Sequence, residues 1–178
     1  MVFNITLVSF SLSWLLFQLS RLLNISTDIR AVQKPLEVIT HVFISHTIIQ
    51  EILVYYVHRA LHLKLIYKYV HKQHHEYTSP LSLLAAYANP IEHVFSTMLP
   101  SIAGPIILGS PMSTIWIYIA FVTFIGASDH SGFKFPLLKD STIHDMHHQT
   151  FIYNFAGTGW IDYLHNTLYL EKFDGKMK

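Results

Sequence analysis

The stretch LEVITHVFISHTIIQEILVYYVHRALH, Leu36–His62, decides the fold. Its first 22 residues, Leu36 to Val57, make about 33 Å of helix, enough to cross a bilayer core of about 30 Å. The apolar run leads without a break into His58, and His62 follows one turn later on the same helix face. A membrane helix that ends on two stacked imidazoles carries a candidate metal grip at the membrane surface.

Two further clusters repeat the theme, His71-xx-His74-His75 and His144-xx-His147-His148. With 13 histidines in 178 residues, chance placement yields roughly 0.07 HxxHH patterns per chain, and this chain has two. A lone HxxxH is more often interfacial decoration than a site; three clusters in one chain point to metal chemistry. The setting is oily: 51% of residues are hydrophobic, 13% are charged and mean hydropathy is +0.34. A net charge of +1 without a long basic run argues against nucleic acid as a partner. Cysteine is absent, which removes disulfides, thiolate zinc sites, Fe–S clusters and a thiol nucleophile. Any metal must be held by histidine, carboxylate or amide groups.

Four apolar stretches read as membrane segments: about Val2–Leu23, Leu36–Val57, Val94–Gly109 and Met112–Ser128. The first lacks a basic leading region and a small-residue cleavage site, so it reads as an anchor rather than a signal peptide. The third and fourth are short, joined at Ser110-Pro111, with Pro100 and Pro105 inside the third; they form a full or a re-entrant hairpin. Either way the chain goes in and returns, so Asp129-His130 emerges on the side where His58 does. Arg59, Lys64, Lys68 and Lys72 share that side, and the positive-inside rule makes it cytosolic. Asn24-Ile25-Ser26 in the opposite loop is a short glycosylation sequon, and Lys176-Met-Lys178 does not make a retrieval signal. The expected fold is an all-α integral membrane protein of about four transmembrane or re-entrant helices with a cytosolic histidine-rich helical cap. Residues 1–35 would be anchor and loop, and 36–178 the catalytic domain.

Spacing then sets the ligand count. A helix presents each HxxHH as three imidazoles for a common centre, with Ile66 to Glu76 expected as one interfacial helix. Eight clustered imidazoles exceed what one ion takes, and two ions with four or five ligands each fit better. Imidazole alone leaves iron, zinc, copper and nickel open. Because ligand imidazoles must be neutral, metal should be released in mild acid, and full retention at about pH 5 would count against ordinary histidine ligation.

The run Glu51 to His62, then Tyr67-Lys-Tyr-Val-His71-Lys-Gln-His74-His75-Glu76-Tyr77, resembles the fatty acid hydroxylase superfamily. Tyr87-Ala-Asn89-Pro90-Ile-Glu92-His93, Met98-Leu-Pro100, Gly104-Pro105, Asp129-His130-Ser131-Gly132 and His144-Asp145-Met-His147-His148 bring it nearer the sterol C4-methyl oxidase and sterol desaturase branch. Asp162-Tyr-Leu-His165-Asn166-Thr167 matches the closing motif, and the likeness covers Glu51 to Thr167. The resemblance implies an endoplasmic reticulum membrane protein with two iron ions on its cytosolic face, O2 as co-substrate, and zinc able to replace iron in preparations. Electrons would come from NAD(P)H through a separate reductase or cytochrome b5; the chain itself has no nicotinamide-binding glycine fingerprint. The substrate would be a sterol, fatty acyl chain, sphingolipid or other alkyl lipid.

Expected ligands are His58, His62, His71, His74, His75, His144, His147 and His148, with His130 a ninth because it matches a family histidine and returns to the same face. His93 could approach the site or be structural, while His41, His46 and His165 fall outside it. Glu51, on the His58 face, is expected to accept an imidazole N–H. Asp145 is a second such carboxylate, with Asp129 and Asp162 weaker ones. Asn89 stands where the methyl oxidase branch has histidine, and an amide there would act through bound water, which puts full metal loading in question. The leading function is O2-dependent hydroxylation or oxidation of a lipid C–H bond. The alternatives are a lipid desaturase on the same metal site, or a weakened homologue that binds a lipid or a partner.

Overall fold

The computed structural model describes residues 3–28, 30, 33–78, 81–135, 138 and 140–170. Val2 and Lys176–Lys178 lie outside the described residues. Every regular element among the described residues is helical. Helix α1 is Ser9–Leu22, entered through a π-helical turn at Asn4–Val8. Helix α2 runs Pro35–Leu61, starting where proline is preorganised for the first helical turn and Glu37 accepts the Lys34 N–H at 3.2 Å. Helix α3 is Lys64–Val70, and 3-10 turns follow at His74–Glu76 and Ser82–Ala86. The expected helix from Ile66 to Glu76 is therefore broken after Val70. Helix α4 covers 90–107, α5 is Met112–Asp129, α6 Thr142–Thr150 and α7 Trp160–Leu164.

Helices α2 and α5 are long and apolar enough to cross a membrane, and most of their apolar residues are not buried within the protein. A soluble core helix hides such a surface; here Phe43, Ile48, Trp116, Ile117 and Phe124 face outward. Both helices run toward the histidines. Between them α4 runs the opposite way, from Glu92 beside the histidines down to a turn at Gly109, whose φ of +62° suits glycine. The turn is tied to the lower end of α2 by His41 and the Ser110 hydroxyl, 2.7 Å apart. The in-and-back path read from the sequence is thus the path of the chain.

Helices α2 and α4 meet closely where α2 widens into a π-helical turn, Ser45–Gln50. A Cβ on Gly104 would stand 2.6 Å from the Ser45 Cβ, so only glycine fits. Helix α1 joins the same bundle: Leu16 and Ile25 pack with Ile115, flanked by Ile102, Ile106, Met112 and Ile119. A second core of Tyr55, Phe155, Ala156 and Ile161 fixes the 153–159 loop against α2 just below the histidines.

Candidate metal centre

Helix ends deliver the ligands. His58 is in the last turn of α2 and His62 is its C-cap, His71 caps α3, His74 and His75 lie on the 3-10 turn, His130 caps α5, and α6 carries His144, His147 and His148. Their ring nitrogens fall into two groups, each with all donor atoms within 4.8 Å of one another. One is His58, His62, His71, His75 and His147; the other is His74, His130, His144 and His148. All nine expected histidines are in these groups.

Each HxxHH divides between the groups instead of feeding one centre. His71 and His75 join the first while His74 joins the second; His144 and His148 join the second while His147 joins the first. In α6, residues i and i+4 are about 40° apart around the axis, while i+3 and i+4 are separated by about 100°; the turn after α3 divides His71 and His75 from His74 in the same way. Neighbouring histidines therefore face different groups. The groups share a wall, with the His75 and His148 rings 4.5 Å apart.

The tautomers follow from backbone partners that can only accept. The Nδ1–H of His58 donates to Phe155 O at 2.6 Å, that of His147 to Tyr153 O at 2.7 Å, and that of His130 to Gly126 O at 2.9 Å. Each Nε2 then holds a lone pair, and those lone pairs point inward. His71 Nε2 lies 3.1, 2.9 and 2.9 Å from the Nε2 atoms of His58, His62 and His75. His62 Nε2 is 3.2 Å from His147 Nε2, and in the second group His144 Nε2 is 3.0 Å from His130 and 3.1 Å from His148. Converging lone pairs repel unless a cation sits among them, so the donor set fits a metal in each group.

Protonation agrees. Burial pushes His62 down to about 4, and burial with the neighbouring imidazoles of His130 and His62 does the same for His148. His71 falls to about 2 through burial and then the His62, His74 and His148 rings. These imidazoles are neutral at pH 7, as ligation requires.

The surrounding carboxylates depart from expectation. Glu51 touches no imidazole: its oxygens accept the N–H groups of Thr158 and Gly159 at 2.7 and 2.8 Å. It does lie on the expected helix face, but the 153–159 loop intervenes. Asn89 is an N-cap whose Oδ1 accepts the Ile91 N–H at 2.9 Å. Asp145 is half-buried in the first turn of α6, where burial and Asp140 raise its carboxyl above the usual range. His93 faces the Ser9 hydroxyl at 3.1 Å, outside both groups.

The carboxylate that does meet an imidazole is Glu92, with Oε1 2.8 Å from His71 Nδ1 and the residue 4% exposed. Burial raises Glu92 to about 9, so without metal the pair is a neutral acid and a neutral imidazole. The sequence does carry its signal, since Asn89-Pro90 starts a helix that places Glu92 in its first turn. The other support is the 153–159 loop. Asp162 accepts the N–H groups of Phe155 and Ala156, both at 2.9 Å, and Asn154 anchors the loop to Ile143 O and Tyr169 O at 3.0 Å each. A carbonyl partner leaves no residue-type signature, which is why the spacing did not reveal it.

The chain is similar in sequence to several known proteins. Fatty acid hydroxylase domain-containing protein 2 of Homo sapiens is 42% identical over 121 residues, covering 68% of this chain and 36% of that protein. Methylsterol monooxygenase 1 of Danio rerio is 34% identical over 122 residues, 64% of this chain and 42% of that protein. Very-long-chain aldehyde decarbonylase GL1-11 of Oryza sativa subsp. japonica is 33% identical over 159 residues, 78% and 59% respectively. The chain thus spans between about a third and three fifths of these relatives' lengths. No solved structure matches. The fatty acid hydroxylase family model matches residues 43–167, a span that includes all nine histidines of the two groups, and the chain belongs to that family.

Proposed function

We propose that this chain is a membrane-bound non-haem diiron oxygenase that oxidises a C–H bond of a lipid, in sterol or fatty acyl and sphingolipid metabolism. The observation that carries the reading is the pair of interlocked imidazole groups with Nε2 lone pairs facing inward. Iron, when bound there, would supply the O2-derived oxidant that no side chain can provide. His58, His62, His71, His75 and His147 would hold one ion, and His74, His130, His144 and His148 the other. The chain's remaining work is positioning. Phe155 O, Tyr153 O, Gly126 O and Glu92 fix the ring orientations, and α2, α4 and α5 line a cavity that would seat the reacting carbon beneath the histidines.

Names of relatives carry monooxygenase and decarbonylase activities on lipid substrates, which supports lipid oxidation as the class. On this reading residues 36–178 form the hydroxylase-like domain and 1–35 its anchor. The protein sits in the endoplasmic reticulum with Arg59, Lys64, Lys68 and Lys72 on the cytosolic side. Electrons reach it from NAD(P)H through a separate donor protein. With nine imidazoles already in the two groups, Asn89 gives no reason to prefer a weakened homologue.

The test is the metal content of detergent-purified protein beside His74→Ala/His147→Ala, which takes one ligand from each group. The reading expects about two irons per chain, lower content in the variant, and reductant-dependent O2 consumption that rises with lipid. Folded protein without stoichiometric metal would overturn it. Product analysis then separates hydroxylation from desaturation.

A further inference from the structure

Beneath the histidines lies a cavity of about 210 Å³ between α2, α4 and α5. That is smaller than pockets that enclose a whole drug-sized ligand, roughly 300–1,000 Å³, so it admits part of a lipid and leaves the rest in the bilayer. Its upper wall is His58, His71, His74, His130 and His144. Gln50 and His46, further down α2, line its lower part with Ser101 of α4 and Thr123 of α5. Gln50 lies eight residues and His46 twelve residues before His58, or about 12 and 18 Å along the helix.

A cavity built only to take an alkyl tail would be apolar at that depth, where polar side chains are costly and usually functional. Here donors and acceptors are both on offer. The Ser101 hydroxyl donates to Thr97 O at 2.6 Å and the Thr123 hydroxyl to Ile119 O at 2.7 Å, which spends their protons and leaves oxygen lone pairs. The Gln50 Oε1 accepts from the Tyr118 hydroxyl and from His46 Nδ1, the latter at 3.4 Å. Its amide N–H2 makes no hydrogen bond to the described residues. One donor and two acceptors match a hydroxyl, which is both. The described lining contains no Lys or Arg, while Glu51, Glu92 and Asp129 are acidic, so an anionic headgroup has no counterion there.

Resting on the oxygenase reading, we propose that Gln50, Ser101 and Thr123 form a recognition site for a neutral hydrogen-bonding group of the substrate, a hydroxyl or amide. This site holds that group roughly 10 Å from the oxidised carbon. The preferred substrate class is therefore a neutral amphiphilic lipid rather than a free fatty acid or a hydrocarbon. Thr97 and Thr123, both exposed and both lining the cavity, mark where it opens to the surroundings.

The experiment is photo-crosslinking of the full chain in detergent with a photoreactive long-chain alcohol, competed by 1-hexadecanol, hexadecane or palmitate. It is run with and without bound metal. Two hydrogen bonds at about 0.7 kcal/mol net each sum to about 1.4 kcal/mol, so 1-hexadecanol should compete about tenfold better than either of the others. Gln50→Leu and Ser101→Val should each reduce that preference to about threefold or less, with iron content and Tm unchanged. Equal competition by the three lipids, or a preference that persists in both variants, overturns the proposal. If Gln50→Leu fails to fold, Ser101→Val decides alone. Protein that lacks iron but keeps the preference would refute the oxygenase reading and leave this one standing; iron and turnover without the preference would do the reverse.

Discussion

His58 and Asp162 are joined through one residue's backbone: Phe155 gives its carbonyl to the His58 Nδ1–H at 2.6 Å and its N–H to an Asp162 oxygen at 2.9 Å. Asp162 is fully buried and also holds Ala156 N and the Thr167 hydroxyl. It therefore sets the ring of a candidate ligand without touching it. Asp162→Asn keeps the shape but turns one acceptor into a donor facing a backbone N–H. We expect a stability loss of about 1–3 kcal/mol and metal affinity in the five-histidine group about 10–100-fold weaker. Metal titration with thermal unfolding checks this; unchanged affinity in folded protein would count against the relay.

The interlocked clusters give a prediction that two separate HxxHH sites would not. His58→Ala/His147→Ala takes two ligands from one group although the residues belong to different sequence clusters. His144→Ala/His148→Ala takes two from the other. Each pair should retain about one metal ion per chain, and the fourfold variant none. Loss of both ions in either pair would show that the groups do not bind independently.

What the sequence revealed, and what it hid, divides along physical lines. Hydrophobic runs and histidine spacing are written in residue types, so the helical membrane character, the common face and all nine clustered histidines were legible. The division of each HxxHH was hidden because spacing along a helix says which residues are neighbours but not what stands opposite them. His74 and His75 are adjacent in the chain, yet His74 faces His130 while His75 faces His71. Glu51 shows the same limit from the other side. Its helix face was legible, but the loop it clamps, more than a hundred residues away, was not.

Stability of the metal-stripped protein should depend on pH from both ends. His62 and His148 have ordinary values of 6.5 and fall to about 4 in the fold. Between those values the unfolded chain binds more protons, so stability drops as pH falls through about 6.5 to 4. Glu92 acts oppositely: it rises from 4.5 to about 9, so the folded chain keeps a proton that the unfolded chain has released. Its contribution is complete below 4.5 and fades as pH climbs toward 9. Tm measured between pH 5 and 9 should peak near about 6.5, and Glu92→Gln should flatten the alkaline side alone. A profile with the same alkaline slope in the variant would contradict the assignment. The depressed histidines also revise the expectation of metal release near 6.5: with His62 and His148 neutral down to about 4, retention at about pH 5 is consistent with ligation.

Gly104 tests the packing of the bundle apart from its chemistry. An added Cβ would meet the Ser45 Cβ at 2.6 Å and the Ser45 backbone α-carbon at 2.7 Å, and neither atom is the end of a flexible side chain. Gly104→Ala should cost about 1–3 kcal/mol as α2 and α4 are pushed apart. Ser45→Gly should restore only part of it, because the clash with the backbone of residue 45 persists. Unfolding in detergent measures both, and an unchanged Tm for Gly104→Ala would mean that the two helices leave room for a methyl group there.

Asn89 separates capping from ligation. Its Oδ1 accepts the Ile91 N–H at 2.9 Å at the start of the helix that delivers Glu92 to His71. Asn89→Asp keeps the cap, while Asn89→Ala removes it at a cost of about 1 kcal/mol. Metal stoichiometry should be unchanged in both, because the Asn89 Oδ1 is committed to the Ile91 N–H. Asn89→His, which restores the residue type of the methyl oxidase branch, should likewise add no metal and lose the cap. A rise in bound metal or in turnover on Asn89→His would show that the side chain reaches the site after all, and would return Asn89 from a capping role to the metal centre.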